Sequence, residues 1–141
     1  MSTFKVFDIA ASGMSAQSVR LNTTASNLAN ADSVNGDASK VYKARHPVFE
    51  SVKAAMAAKP GTEPGAAVRV RGIMENQAAP EGRYEPGNPL ANENGMVYSP
   101  NVNVIEEMTD MISASRAYQN NVEVMNTSKQ LLIATLKLGQ P

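Results

Sequence analysis

The sequence contains no cysteine and a single histidine among its 141 residues. Without cysteine the chain has no disulfides, no thiol nucleophile and no thiolate ligand for a metal. A zinc site built from two or three histidines is excluded too, because His46 stands alone. His46 precedes a proline in an extended context. A polar or stacking role fits it better than that of a general base, which needs a nearby partner.

An excess of charge of one sign is also missing. The chain has 13 Lys and Arg against 13 Asp and Glu, and no block of like charge interrupts it. A basic face for nucleic acid therefore has little support. No apolar run approaches the ~20 residues of a membrane-spanning helix, and the first residues lack the continuous apolar stretch of a secretory signal. We expect no nucleic-acid partner and no insertion into a membrane.

Motifs of catalysis and of phosphate binding are missing as well. The stretches "GTEPG" and "PEGRYEPG" lack the Lys-Ser/Thr that completes a phosphate-binding loop, and no serine stands in Gly-x-Ser-x-Gly. Glu106, Glu107 and Asp110 could suggest a metal site or an acid pair. Their position at a predicted helix start explains them more simply, because the helix dipole favours negative charge there. We expect no enzyme activity, no metal, no cofactor and no small-molecule substrate.

Large apolar residues are scarce. Leu, Ile, Val and Phe together account for 28 of the 141 residues, and there are only three Phe and four Tyr. This is near the level at which a chain struggles to build a core, although the zero net charge argues against disorder. We interpret the composition as that of a chain whose own core is thin.

Proline and glycine are present, but they are concentrated in the middle. Seven of the eight prolines and seven of the nine glycines lie between residues 36 and 100. Because these residues punctuate regular structure, their distribution predicts three parts. These are an N-terminal helix within residues 1–36, a strand- and loop-rich excursion over residues 37–100, and a C-terminal helix within residues 101–141.

The C-terminal segment carries the signals of one long helix. Asn103 followed by Glu106 has capping-box spacing, and further acids follow in the first turns. Lys137 lies in the last predicted turn, and Gly139 comes after it. The signals predict a helix over residues 102–138, roughly 55 Å long at ~1.5 Å per residue.

Apolar residues recur every seven positions in both terminal segments, as at the contact face of paired helices. In the N-terminal segment, one position holds large side chains and its partner mostly small ones: Phe7, Met14, Leu21 and Leu28, then Phe4, Ala11, Ser18 and Ala25. In the C-terminal segment, the two positions are Val104, Met111, Tyr118, Met125 and Leu132, then Met108, Ser115, Val122, Lys129 and Leu136, with Ile105, Ile112 and Ile133 widening the stripe.

We call the apolar stripe of each terminal helix its seam. Each seam needs a partner helix to pack against, and the nearest candidate is the helix that carries the other seam. We therefore predict a mainly α chain whose terminal helices pair antiparallel as a coiled-coil inner domain, with a short β-hairpin and loop-rich excursion between them. Glu107, Arg116 and Glu123 are predicted to lie off the seam. Two helices packed on one globular α+β domain are the alternative, because four or five heptads are modest evidence.

Three stretches of the excursion are predicted as strands: "SKVYKARHPVFE", "AAVRVRGIMEN" and the short "GMVYS". The stretch "VKAAMAAK" could be a short helix or a mobile segment. The stretch "PEGRYEPGNPLANENG" consists almost wholly of turn residues and is predicted to lack regular structure. Basic residues of the excursion are expected on a solvated or intersubunit surface, where they pair with acids: Lys43, Arg45, Arg69 and Arg71.

The sequence of these segments resembles that of the bacterial flagellar axial proteins, and among them the basal-body rod proteins. The N-terminal helix carries "TTASNLANADS", and the C-terminal segment carries "NVNVIEEMTDMISASRAYQNNVEVMNTSKQLLIATLKLGQ". The stretches "YKARHPVFE", "VRVRGIMEN" and "YEPGNPLANENGMVYSPNVN" are similar to those of proximal rod proteins. The residues of the two terminal motifs singled out by the resemblance are Asn27, Asn30, Arg116, Tyr118, Gln119 and Asn121.

The resemblance implies a structural subunit of the flagellar rod, whose terminal helices form a helical array around a central export channel and transmit torque. It implies three kinds of partner: other rod proteins, the adaptor between the rod base and the MS ring, and the flagellar type III export apparatus. It implies a place in the periplasm-spanning rod, after export without a cleaved signal peptide. A distal-rod or hook-type axial subunit is the alternative, and the short middle argues against the hook.

Overall fold

The chain consists of two long helices separated by two antiparallel strand pairs. The structure is a computed structural model, and it describes residues 3–53 and 66–138. In chain order the elements are α1 (Thr3–Ala29), β1 (Arg45–Lys53), β2 (Ala66–Glu75), β3 (Glu81–Tyr84), β4 (Met96–Ser99) and α2 (Val104–Leu138). Two long helices and a few short strands confirm the coarse prediction. Most of the stretch "VKAAMAAK" lies outside the described residues.

Helix α2 begins where the capping signal predicted. The Asn103 side-chain oxygen accepts hydrogen bonds from the amides of Ile105 at 3.1 Å and Glu106 at 3.4 Å, which satisfies amides that have no partner inside the helix. Among the described residues, Glu106 does not return the reciprocal bond of a full capping box. The helix runs for 35 residues, which corresponds to roughly 53 Å at ~1.5 Å per residue.

The two helices pack against each other in antiparallel orientation. Three side-chain contacts fix this orientation, because the residue number falls along α1 as it rises along α2. Asn27 bonds Glu107, Arg20 bonds Asp110, and Gly13 lies against Asn121. The same register places the start of α1 level with about residue 130 of α2. The last turns of α2 therefore extend beyond the partner helix.

Strands β1 and β2 form a hairpin that lies along α1. The hairpin starts beside Asn27 near the end of the helix, where the Asn27 side chain bonds the backbone of Arg45. It reaches the first half of the helix, where the amide of Val68 donates to the Ser12 hydroxyl at 3.1 Å. A register shift between Val48 and Phe49 marks a bulge in β1.

The turn-rich stretch before β4 was predicted to lack regular structure, and for residues 81–84 that prediction is wrong. These residues form β3, which pairs antiparallel with β4 from Glu81 opposite Ser99 to Tyr84 opposite Met96. The connection is made possible by Gly95, whose φ of 71° is readily adopted only by glycine. Strand pairing in the folded chain thus overrides the local preference for turns.

The core is thin, as the composition predicted. Among the described residues, the buried apolar side chains are alanines, valines and one proline: Ala10, Ala16, Val41, Ala44, Val97, Pro100 and Ala114. Leu, Ile, Phe and Met are instead half-exposed or exposed. No described helix is both long enough and apolar enough to cross a membrane. In the same part of the chain, no three acidic or histidine side chains come together as a metal site.

Candidate assembly interface

Asn27 lies at the centre of the contact between the two helices and the excursion. Its side chain is fully buried. The amide nitrogen donates to the Arg45 carbonyl and to Glu107 Oε1, each at 2.8 Å. The amide oxygen accepts from the Arg45 amide and the Tyr42 hydroxyl, each at 2.9 Å. All the hydrogen-bonding capacity of the Asn27 amide is therefore used, and three separate segments are joined through it.

Glu107 was predicted to lie off the helix seam, and that prediction is wrong. Its side chain is buried against α1, where Oε1 accepts from Asn27. His46 Nε2 lies 4.0 Å from the same oxygen, which is beyond hydrogen-bond distance. Glu107 Oε2 is buried and has no hydrogen-bond partner among the described residues. Glu107 therefore contributes to the contact between helices, and the helix dipole alone does not explain its position.

The contact between α1 and α2 is lined by small and polar side chains at seven-residue spacing. On α1 these are Gly13, Arg20 and Asn27; on α2 they are Glu107, Ala114, Asn121 and Ser128. Arg20 donates to Asp110 Oδ1 at 2.8 Å across the two helices. A side-chain carbon built on Gly13 would lie 3.0 Å from Asn121 Nδ2. Small side chains thus allow the two backbones to approach closely.

The predicted seam on α1 lies one residue later than the observed contact. Phe7, Met14, Leu21 and Leu28 are half-buried, and they follow the contact position by one residue in each heptad. Phe4 is 73% exposed, and its heptad equivalents Ala11, Ser18 and Ala25 are also exposed. Large side chains at the contact position would hold the helices too far apart for the polar bonds. These residues flank the contact rather than form its centre.

On α2, too, some residues of the predicted seam lie half-buried beside the contact and others are exposed. Met111, Met125 and Leu132 are half-buried beside the contact, together with Val122. Tyr118 is 38% exposed. Arg116 and Glu123 are exposed, as expected for residues off the seam. Among the other residues at the two predicted seam positions, Ser115 is half-buried, and four are exposed: Val104, Met108, Lys129 and Leu136.

Most exposed apolar residues of α2 fall into two groups, one at each end of the helix, while Tyr118 and Val124 lie between them. The first group is Val104, Ile105, Met108 and Ile112, and the second is Leu131, Ile133, Leu136 and Leu138. The first group lies on the helix start. The second lies where α2 extends beyond α1. Ile105 at 79% and Leu138 at 86% exposure show how little of either group the chain covers itself.

The basic residues of the excursion differ in their contacts. Arg69 pairs with Glu50, and Arg45 lies 3.1 Å from Glu75, in both cases across the β1–β2 hairpin. Lys43 and Arg71 have no carboxylate within 4.0 Å among the described residues. Pairing with acids therefore occurs inside this chain for two of the four predicted residues. Contacts with a neighbouring subunit stay a prediction for the set.

Several contact residues were missed from the sequence. Gly13, Arg20 and Glu107 were not identified, and Tyr42 was assigned only as part of a strand. Their seven-residue spacing was the available signal, but hydrophobic periodicity gives no weight to glycine or charged residues. Asn27 and Asn121 were singled out through the motifs alone. The other motif residues lie around the contact: Asn30 bonds Ser26 O at the end of α1, while Arg116 and Gln119 are exposed.

Both helical ends of the chain match models of flagellar rod families. The family described as flagella basal body rod protein matches residues 7–36, and that described as flagellar basal body rod FlgEFG protein C-terminal matches residues 93–138. Over 140 residues the chain is 52% identical to the flagellar basal-body rod protein FlgC of Yersinia enterocolitica, covering 99% of this chain and 100% of that protein. The chain belongs to the FlgC family.

Other FlgC proteins are similar over almost the whole chain. That of Salmonella typhimurium is 50% identical over 140 residues, with the same coverage. That of Aquifex aeolicus is 37% identical over 139 residues, covering 97% of both chains. FlgC proteins are structural components of the flagellar basal-body rod and not enzymes. The predicted resemblance and the predicted structural function are therefore confirmed.

The FlgC assignment agrees with the geometry of the contact. Each of the three cross-helix contacts joins a residue of the 7–36 match to a residue of the 93–138 match. The two matched ends thus form one paired structure. Membership of the FlgC family also indicates the basal body as the location and other rod components as partners.

Proposed function

We propose that this chain is a proximal rod subunit that assembles through α1 and α2 into a helical tube enclosing the export channel and transmitting torque. One observation carries the proposal. Inside the chain the two helices contact each other through small and polar residues, whereas Phe4 of α1 and ten large apolar residues of α2 remain exposed. A coiled-coil inner domain, completed by helices of neighbouring subunits, would bury these side chains.

The free energies of apolar burial and of association favour contacts with several neighbouring subunits over a contact with a single one. Fully burying a Leu, Ile, Val or Met side chain contributes roughly 1.5–3 kcal/mol, so half-exposed ones contribute about 1 kcal/mol each. The eight residues of the two exposed apolar groups on α2 then supply roughly 8 kcal/mol. Association costs about 4–15 kcal/mol in lost freedom of movement. A single contact is therefore marginal, whereas a lattice with several contacts per molecule is stable.

We also propose which proteins the chain contacts and how it reaches the rod. The rod partners would be other axial proteins and the adaptor between the rod base and the MS ring. The chain would reach the periplasm-spanning rod through the flagellar type III export apparatus, without cleavage of a signal peptide. The thin core supports this route, because the buried apolar side chains of the described residues are small and their burial contributes little to the free energy of unfolding.

A distal-rod or hook-type position is the second candidate. The family model of the C-terminal segment, described for FlgEFG proteins, favours it. The proximal position is better supported, because the relatives that match over their entire length are FlgC proteins.

The proposal is tested at Ile112, which is 54% exposed on α2 and lies away from the contact with α1. An Ile112→Asp variant should fold as a monomer with the helical circular dichroism of the unchanged protein. It should not restore swimming in a strain that lacks the protein, because a carboxylate would be buried between subunits without a partner. Ile112→Leu keeps the position apolar and serves as the matched control.

Purified basal bodies distinguish the outcomes. The unchanged protein and Ile112→Leu should be present in the rod fraction, and Ile112→Asp should be absent from it while still being secreted. Normal rods built with Ile112→Asp would show that this apolar group does not contact a neighbour. Absence of the unchanged protein from the rod fraction would contradict the proposed function itself.

A further inference from the structure

A polar cleft opens between the end of α1 and the start of the β1–β2 hairpin. Its volume is about 520 Å³. One wall is the segment after α1, including Asn30, Ser33 and Asn35; the other is the segment leading into β1, residues 39–45, with Glu75 at the edge. The cleft adjoins the Asn27 contact but is lined by different side chains, apart from Tyr42 and Arg45.

The charges of the cleft are unbalanced. Lys40, Lys43 and Arg45 line it, against the single carboxylate of Glu75. Glu75 is engaged by Arg45 at 3.1 Å. Lys40 lies 3.5 Å from Asp37, whereas Lys43 has no carboxylate within 4.0 Å in the described part of the chain. The cleft thus presents an unbalanced positive charge beside amide and hydroxyl groups that can also donate hydrogen bonds.

The wall that carries these cations is held rigidly. Ala44 is buried, its amide donates to Asn101 Oδ1 at 2.8 Å, and its carbonyl accepts from the Asn76 amide at 2.7 Å. The Arg45 backbone is bonded on both sides by Asn27. The Arg45 guanidinium lies 5.5 Å from the centre of the Tyr42 ring, a cation–π distance. A wall fixed in this way loses little conformational freedom when a ligand enters.

We propose that this cleft binds an acidic side chain on a segment of a neighbouring rod subunit, with Lys43 as the residue that pairs with the carboxylate. Charge complementarity supports this occupant, since Lys43 is the lining cation left without an acid. The exposed acids Glu81 and Glu93 show that a second copy of this chain carries suitable carboxylates. The inference rests on the proposed function, because the partner is supplied by the rod.

Carbodiimide treatment of purified basal bodies tests the pairing directly. The reagent joins a lysine amine to a carboxylate only where the two are in contact, and peptide mass spectrometry identifies both residues. Lys43 is expected to be joined to an Asp or Glu of another polypeptide chain. Lys43→Arg serves as the control, because it keeps the positive charge but cannot be joined in this way. It should lose the cross-link.

Charge reversal completes the test. Lys43→Glu should reduce swimming and the salt resistance of the purified rods relative to Lys43→Arg, because it places like charges together in the cleft. Arg83→Glu, on an exposed cation of β3 outside the cleft, is the matched reversal and should leave swimming and salt resistance close to those of the unchanged protein. If Lys43 forms no cross-link in rods that contain the protein, and Lys43→Glu behaves as Lys43→Arg does, the cleft has no such occupant. Rods without the protein would instead contradict the proposed function.

Discussion

At the scale of single residues, the decisive side chain is a buried amide. Asn27 is the only described residue whose side chain bonds both α2 and the segment entering β1. An asparagine fits here because two donors and two acceptors are needed within one small side chain. An aspartate would place a second carboxylate beside the buried Glu107, where like charges repel strongly. Polar residues in such positions specify register at some cost in stability.

Replacing Asn27 by alanine should lower the free energy of unfolding by about 3 kcal/mol. The change removes both bonds to the Arg45 backbone and leaves the buried Glu107 carboxylate without its partner, and each unsatisfied buried group costs about 1–3 kcal/mol. The Tyr42 hydroxyl keeps its contact with Ser26. Urea denaturation measures the effect. Asn22→Ala, on the exposed side of the same helix, should change stability by less than about 0.5 kcal/mol. Equal effects of the two variants would contradict the role given to Asn27.

A second residue-scale prediction concerns the loop after α1. The Ser39 hydroxyl and amide both donate to the Asp37 carboxylate, and these bonds hold the pKa of Asp37 below its ordinary value of 3.8. A lowered pKa stabilises the loop above about pH 3.8, and this contribution is lost as the pH falls through the folded value. Ser39→Ala should move the titration back toward 3.8 in a carboxyl NMR experiment. An unchanged titration would exclude the hydroxyl as the main cause.

At the scale of the elements, the packing of α1 against α2 depends on the size of the side chains at the contact as much as on their polarity. Gly13 faces Asn121, Arg20 faces Asp110, and Asn27 faces Glu107. The glycine lowers helix propensity by about 1 kcal/mol relative to alanine. Its use within α1 is explained by the close approach of the helices, because a Cβ atom at position 13 would lie only 3.0 Å from Asn121 Nδ2.

Gly13→Leu should therefore destabilise the helix pair, even though leucine is the better helix former. Overpacking of a close contact costs about 1–3 kcal/mol, which exceeds the gain in propensity of about 1 kcal/mol. Ala11→Leu, two residues earlier on an exposed position, should be nearly neutral. Urea denaturation of the two variants measures the difference. A Gly13→Leu protein as stable as Ala11→Leu would show that the helices do not need this close approach.

At the scale of the whole molecule, stability is uneven. Buried polar contacts are concentrated around Asn27, Tyr42 and Glu107, while no described apolar residue of α2 after Ala114 is buried. Local opening requires least free energy where few apolar contacts are buried. The chain is thus held most firmly where its three segments meet, and least firmly in the last turns of α2, where the second exposed apolar group lies.

Hydrogen exchange on the isolated monomer should show this gradient. Amides of residues 20–27 and 107–114 should be the best protected parts of the helices, and those of residues 131–138 should exchange fastest. Assembly into rods should then protect residues 131–138, because neighbouring helices cover them. Uniformly strong protection along both helices of the monomer would indicate a self-sufficient domain and count against the polymer.

Sequence signals that act locally predicted their elements correctly, whereas an element that depends on pairing was missed. The long C-terminal helix was predicted because its cap and apolar period act locally. β2 and β4 were predicted from β-branched residues. β3 was missed, because its turn-forming residues become a strand only through pairing with β4. The three-part division of the chain at residues 36 and 100 stays a prediction, as does the role of the predicted seams between subunits.

The sequence by itself determined the two helices, the thin core, the absence of recognisable catalytic motifs and the flagellar family, because each of these rests on composition, local periodicity or motifs. Only the tertiary structure decided which face of each helix meets the other. The apolar period pointed to Met14 and Leu21, but the contact lies one residue earlier, at Gly13 and Arg20. The physical reason is that hydrophobic patterning identifies which residues avoid water, whereas close approach and buried hydrogen bonds select the pairing. In this chain those two requirements fall on different residues.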